Sequence, residues 1–321
     1  MENCSANNLQ RNNTLIFPLI VYVPVLFLGV PLNLIAFWVF CCKVKRWSET
    51  RVYMINLTVA DSCLLFAIPF VMHFVKHNHP RDKLCLFIHS IYFTNMPMSI
   101  FIITLIAVDR YIAIKFPLKA KILRSPLKAA SACGFLWILL TVNAQLQPRF
   151  NGLSKDLCFG KQSLQPSYSM VLSSVLGYFI PLGIVVFCSV QVIKCLKKKV
   201  DSGSHERKLI QKAIYIVSVN LCVFIICFSP LYITMTLRFV VDLVGACSLL
   251  SAVNLSMQVS SCLANCNCCL DAFCYYFAAK EFQEFSSLFP TCRSVRSKMN
   301  QRQESQSPKG QVMTQKSCGT P

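Results

Sequence analysis

The stretch MSIFIITLIAVDRYIAIK, residues 98–115, decides the fold. It carries no charge from Met98 to Val108 and then presents Asp109 and Arg110 side by side, with Tyr111 next. Traced back to Cys85, the uncharged run exceeds the roughly 20 residues needed to cross a bilayer as a helix. Charge at the edge of hydrocarbon is costly, and where it persists it usually serves a function. Lys115, Lys119, Lys121 and Arg124 follow, so the charged pair ends a span where it meets a basic loop.

Six further apolar runs have a comparable length. The seven are placed near residues 16–42, 52–75, 85–114, 127–147, 168–194, 210–238 and 247–277. Composition agrees: 55% of the 321 residues are hydrophobic and only 14% are charged, against about 25% charged in a soluble domain. The predicted fold class is an all-α membrane protein, a seven-transmembrane helix bundle. The fourth and seventh runs are the weakest by hydropathy. The seventh holds Asn254, Gln258, Asn265, Asn267 and Asp271, so it is expected to face the bundle interior.

Orientation follows from Lys and Arg. With the N-terminus outside, Arg11, Lys76, Arg81, Lys83, Arg149, Lys155, Lys161 and Arg238 lie on the outer side, eight of 32; the rest lie on or near the inner side. Positive residues favour the cytoplasmic face. The net charge of +19 is therefore mostly a topology signal and not a sign of nucleic-acid binding. The expected location is the plasma membrane, multi-pass, with an extracellular N-terminus. The first dozen residues are polar and the first apolar run is too long for a cleaved signal, so no signal peptide is expected.

Three regions are predicted. Residues 1–15 form an extracellular N-terminus, with glycosylation triplets at Asn3 and Asn12. Residues 16–290 hold the bundle and a short amphipathic eighth helix, in which Phe282, Phe285 and Phe289 share one face. Residues 291–321 form a disordered cytoplasmic tail rich in Ser, Gln and Lys. Cys292, just past that helix, is a palmitoylation candidate. Most of the 19 cysteines lie within spans, where Cys behaves as a small apolar residue. Four lie on the outer side: Cys4, Cys85, Cys158 and Cys247.

Asp109-Arg110-Tyr111, the Cys at the head of that span, Trp137, Pro230 and the run Asp271-Ala272-Phe273-Cys274-Tyr275 together resemble the signature set of the rhodopsin-like (class A) G-protein-coupled receptors. The resemblance covers roughly residues 16–290. Trp38-Val39-Phe40-Cys41-Cys42, Ser48-Glu49-Thr50-Arg51, Phe228-Ser229-Pro230 and Asn267-Cys268-Cys269-Leu270-Asp271 narrow it to the branch of the lysophosphatidylinositol-receptor-like proteins.

The resemblance implies a cell-surface receptor that binds an extracellular ligand and activates heterotrimeric G proteins, of the inhibitory or twelve/thirteen type, and not an enzyme. Its other partners would be membrane lipid and arrestin, through the Ser/Thr tail. The competing reading is a multi-span transporter or channel for a small anion; the absence of an evident long internal repeat counts against it. The family's bridge corresponds to Cys85–Cys158, and Cys4–Cys247 is a second candidate pair. Asp109, Arg110, Tyr111 and Tyr275 take the G-protein coupling positions, with Arg110 pairing to Asp109 at rest. At the inner end of the sixth span, Lys208-Leu209-Ile210-Gln211-Lys212 has no acid at the matching place to hold Arg110, and Ser189 replaces a Tyr on the fifth. Asn33, Asp61, Ser99, Asn267 and Asp271 match an allosteric sodium site; otherwise no cofactor is expected.

Outside, eight basic residues face four acids. The third run has no acid in its upper half, which disfavours an amine ligand. An anionic ligand fits better, a lysophospholipid or a small aromatic acid, with Lys76, Arg149 and Arg238 at the pocket mouth and Met96 below, where one member of the branch has an Arg and another a Met. His73, His77, His79 and His89 lack the spacing of a closed metal set and are expected at the surface or rim.

Overall fold

The computed structural model describes residues 16–43, 47–77, 79–150, 158–159, 166, 168–198, 204–272 and 274. Among these, seven helical segments are long and apolar enough to span a membrane: Phe17–Cys42, Glu49–His77, Lys83–Lys115, Pro126–Leu146, Tyr168–Lys197, Ile210–Val244 and Cys247–Ala272. Each overlaps one predicted run, and the fourth and seventh have the lowest mean hydropathy of the seven, 1.5 and 1.3. The chain is an all-α seven-helix bundle. The amphipathic helix at 278–289, Cys292, the tail, Asn3 and Asn12 lie outside the described residues.

Apolar side chains are sorted by what surrounds the helix. Met98, Ile100, Ile102, Phe224 and Phe228 are buried in one central cluster. Phe27, Phe135, Ile138 and Ile226 are 80%, 65%, 70% and 60% exposed. A water-soluble protein does not present apolar surface of that extent; here it is the face that meets lipid. The third span is central and packs against the second, fourth and fifth. The first span approaches the second closely at Gly29, where an added Cβ would lie 2.8 Å from Leu65 Cδ2 and 3.1 Å from Cys269 Sγ.

Two spans contain a π-helical turn, Val39–Lys43 at the end of the first and Val175–Phe179 within the fifth. The second inserts a residue that turns Tyr178 inward. Its hydroxyl shares a hydrogen bond of 2.5 Å with Ser229, beside Pro230, and its ring stacks on Tyr232 at 4.4 Å. Trp137 Nε1 donates to Asn56 Oδ1 at 3.1 Å, joining the fourth span to the second. Asn265 Nδ2 donates to the hydroxyls of Tyr22 and Tyr92, both at 2.8 Å, tying the seventh span to the first and third. Buried polar groups need partners, and these bonds supply them across helices.

Candidate functional site

Three polar centres lie along the bundle. The first is at the end that carries the disulfide. Cys85 and Cys158 are bonded, and the backbone N–H of Cys158 donates to His79 O at 2.9 Å. Cys247 is also disulfide-bonded; its expected partner, Cys4, lies outside the described residues. Phe159 packs against His89, Tyr92 and Phe93 at the head of the third span. Of the two expected places, surface or rim, His89 does not take the surface: it is 5% exposed at the head of the third span.

Arg238 differs from its expected place as well. The sixth helix continues to Val244, so Arg238 lies within it and is 7% exposed. Its Nε donates to Asp242 Oδ1 at 2.9 Å, and its Nη1 to Asn254 Oδ1 on the seventh span. The acid one turn along cancels the charge that an outer basic count assigns to the rim. Lys76 is exposed, Met96 is half-buried against the central cluster, and the side chain of Arg149 lies outside the described residues. No ion pair or hydrogen bond among the described residues draws Lys76 to Arg238.

The second centre is in the middle. Asp61 and Asp271, 1% and 4% exposed, are close enough to interact electrostatically. Asn95 Nδ2 donates to Asp61 Oδ1 at 3.4 Å and Asn267 Nδ2 to Asp271 Oδ2 at 2.5 Å. Asn33 Nδ2 donates to Gly29 O and Cys268 O, both at 3.0 Å. These acceptors fix which end of each amide is the nitrogen, because a carboxylate or carbonyl accepts only from N–H. The oxygens Asn33 Oδ1 and Asn267 Oδ1 are then left buried without a hydrogen bond. Two carboxylates and two orphaned amide oxygens are ligands of the type that suits a hard cation held by oxygen. Ser99 donates to Asn95 O at 3.2 Å, so it holds the backbone beside this set. Asn95 had no distinguishing signal in the sequence.

The third centre is at the opposite end. Here Asp109 has a partner to which the sequence did not point, Arg124. Arg124 Nε and Nη2 donate to the two oxygens of Asp109 at 2.6 and 2.8 Å, and Thr50 Oγ1 adds a third bond at 3.2 Å. Arg124 also meets Glu49 at 3.3 Å. Burial alone would lower the pKa of the guanidinium, but the Asp109 hydrogen bonds and charge, with Glu49 behind them, outweigh this and raise it. Such a two-point fork gives direction as well as strength. Arg110 is also buried, at 7% exposure, and lines a cavity with Ile106, Val185, Ser189, Asn220 and Leu221. Ser189 contributes little volume there, where a Tyr would fill space. Tyr111 packs edge-on to Phe116 and Phe187; Tyr275 lies outside the described residues.

The comparisons agree with this architecture. Residues 32–275 match the family described as "7 transmembrane receptor (rhodopsin family)". The chain is 40% identical over 288 residues to "G-protein coupled receptor 35" of Homo sapiens, covering 89% of this chain and 92% of that protein. It is 35% identical over 274 residues to "G-protein coupled receptor 55" of Homo sapiens, covering 82% and 85%. It is 33% identical over 275 residues to "Lysophosphatidic acid receptor 6" of Homo sapiens, covering 81% and 79%. This chain brings seven spans, the Cys85–Cys158 bridge and a charged pair ending the third span into one bundle, and with the family match and these identities it belongs to the rhodopsin family of seven-transmembrane, G-protein-coupled receptors.

Proposed function

We propose that this receptor sits in the plasma membrane with its N-terminus outside and is switched by an anionic ligand, a lysophospholipid or a small aromatic acid. The observation that carries the reading is Arg238, a guanidinium buried between the sixth and seventh spans at the disulfide end. Asp242 occupies it, so the ligand's acid group must compete with Asp242 for the same fork. Arg suits such exchange because it keeps its charge and offers several fixed donors. Asn254 steadies it from the seventh span, so a change of partner at Arg238 reaches two helices at once. The relatives support the lipid arm, since one of them is named as a lysophosphatidic acid receptor. Lys76 and Arg149 add positive charge at this end, and Met96 offers a flexible apolar wall for the ligand body.

In this reading Asp61, Asp271, Asn33 and Asn267 hold a sodium ion, with Asn95 and Ser99 bracing them. The ion would offset the repulsion of two buried carboxylates and favour the resting arrangement. At the other end, Arg124 keeps Asp109 occupied, and Arg110 is the contact for the C-terminal helix of an inhibitory or twelve/thirteen G protein. Tyr111 and Tyr275 complete that face, and the tail from residue 291 recruits arrestin.

The test is G-protein dissociation in cells, driven by acidic agonists and by their neutral esters. A charge-assisted hydrogen bond contributes about 1.5–3 kcal/mol. Arg238→Ala should therefore weaken an acidic agonist by about one to two decades and leave the ester nearly unchanged. Equal loss for acid and ester would assign Arg238 to structure and remove the anionic-ligand reading.

A further inference from the structure

The first span ends in two exposed thiols that packing does not require. Its lipid-facing side is marked by Phe27, Leu34 and Trp38, 80%, 64% and 53% exposed. The steps of seven and four residues keep these on one helical face. The helix then opens into the π-turn Val39–Lys43, where Cys41 and Cys42 are both exposed and unbridged. They are the last two residues of the span. Beyond them Trp47 is 66% exposed. Arg51 lies over the Trp47 ring at 4.1 Å and donates from Nη2 to Cys41 O at 2.9 Å. This contact fixes the turn between two tryptophans, the side chain that favours membrane interfaces. Lys43, Lys45 and Arg46 lie between them in sequence, and such a basic run attracts the anionic inner leaflet. Cys222, also exposed, lies mid-span in the sixth helix without either flank.

We propose that Cys41 and Cys42 are S-acylated by a long-chain fatty acid. Juxtamembrane cysteines at the inner leaflet are the sites where this modification occurs. In the reaction the cysteine thiolate attacks the carbonyl carbon of a long-chain acyl-coenzyme A. The donor's carbon–sulfur bond breaks as the new one forms. Coenzyme A leaves as its thiol, taking up the proton that the cysteine gave, and nothing is oxidised or reduced. The chain then lies along the Trp38–Leu34–Phe27 stripe, and it anchors the turn that leads to Glu49 and Thr50. The proposal rests on the orientation given above, because acyl-coenzyme A is supplied from the cytosol.

The test uses the full-length receptor with an N-terminal epitope tag, expressed in cells. Free thiols are blocked, thioesters are cleaved with hydroxylamine, and the released thiols are labelled with a polymer-linked maleimide that shifts the band on a gel. In a Cys292→Ser background, hydroxylamine-dependent shifts should remain. Adding Cys41→Ser and Cys42→Ser should abolish them while surface delivery persists. Shifts that survive the added substitutions, or that are absent in Cys292→Ser alone, overturn the proposal. Tag staining on intact cells reports orientation separately: an unstained tag refutes the orientation, whereas a stained tag without shifts refutes the acylation alone.

Discussion

Arg238 and Arg124 each hold an aspartate, but they reach it by different routes. Arg238 meets Asp242 one turn along the same helix, with both side chains almost dry, 8% and 2% exposed. Arg124 meets Asp109 from beyond the end of the third span and Glu49 from the start of the second, and it is 29% exposed. The dry pair is local and rigid. Breaking it by removing one partner leaves a buried charge, which is strongly unfavourable. The wetter pair joins three segments and is worth less in itself, so it can yield when those segments move. The disulfide end is thus built to be competed for, and the opposite end to be rearranged.

The contrast between the two ends requires that the disulfide end be held as one piece. The Cys85–Cys158 bridge spans a sequence separation of 73, which is worth about 4 kcal/mol in the chain-entropy account. Cys158→Ala should abolish delivery to the cell surface, counted with an antibody on intact cells. The dry pair is then tested from its acidic side. Asp242→Asn removes the competitor for Arg238 and should raise the potency of an acidic agonist about tenfold, ~1.4 kcal/mol. A fall in potency for acid and ester alike would make Asp242 a helix brace only.

Between the two ends, Asp61→Asn should remove the dependence of agonist affinity on sodium, measured by radioligand competition in sodium and in a bulky organic cation. Persistence of that dependence would take the ion away from these carboxylates. The smallest effect is expected at the wet pair. Arg124→Ala leaves Asp109 to Arg110 alone, so basal G-protein turnover should fall by at most about fivefold, near 1 kcal/mol for a part-exposed pair. A rise instead would mean that Arg124 is itself the resting-state lock.

The seven spans were legible because a hydrocarbon core demands contiguous apolar residues and internal backbone bonding, both local properties. The placement of Asp109, Arg110, Asp61 and Asp271 followed from the same runs. The Arg238–Asp242 spacing of four was also visible as a helical pair, yet counting outer charges one by one passed over it. That His89 is buried and not on the surface was hidden because proximity to a span end does not say which face a side chain occupies.

The sequence by itself determined the number of spans, their approximate limits, the charge asymmetry and the positions of the ionisable residues within hydrocarbon. Only the tertiary structure decided which partner each of these takes. Arg124 reaches Asp109, Asn95 reaches Asp61, and Asn265 reaches Tyr22 and Tyr92. The physical reason is that periodicity fixes the face of a helix, while a hydrogen bond also needs the height and rotation of its neighbour. In the first and fifth spans a π-turn resets that rotation, and with it the side chains that meet.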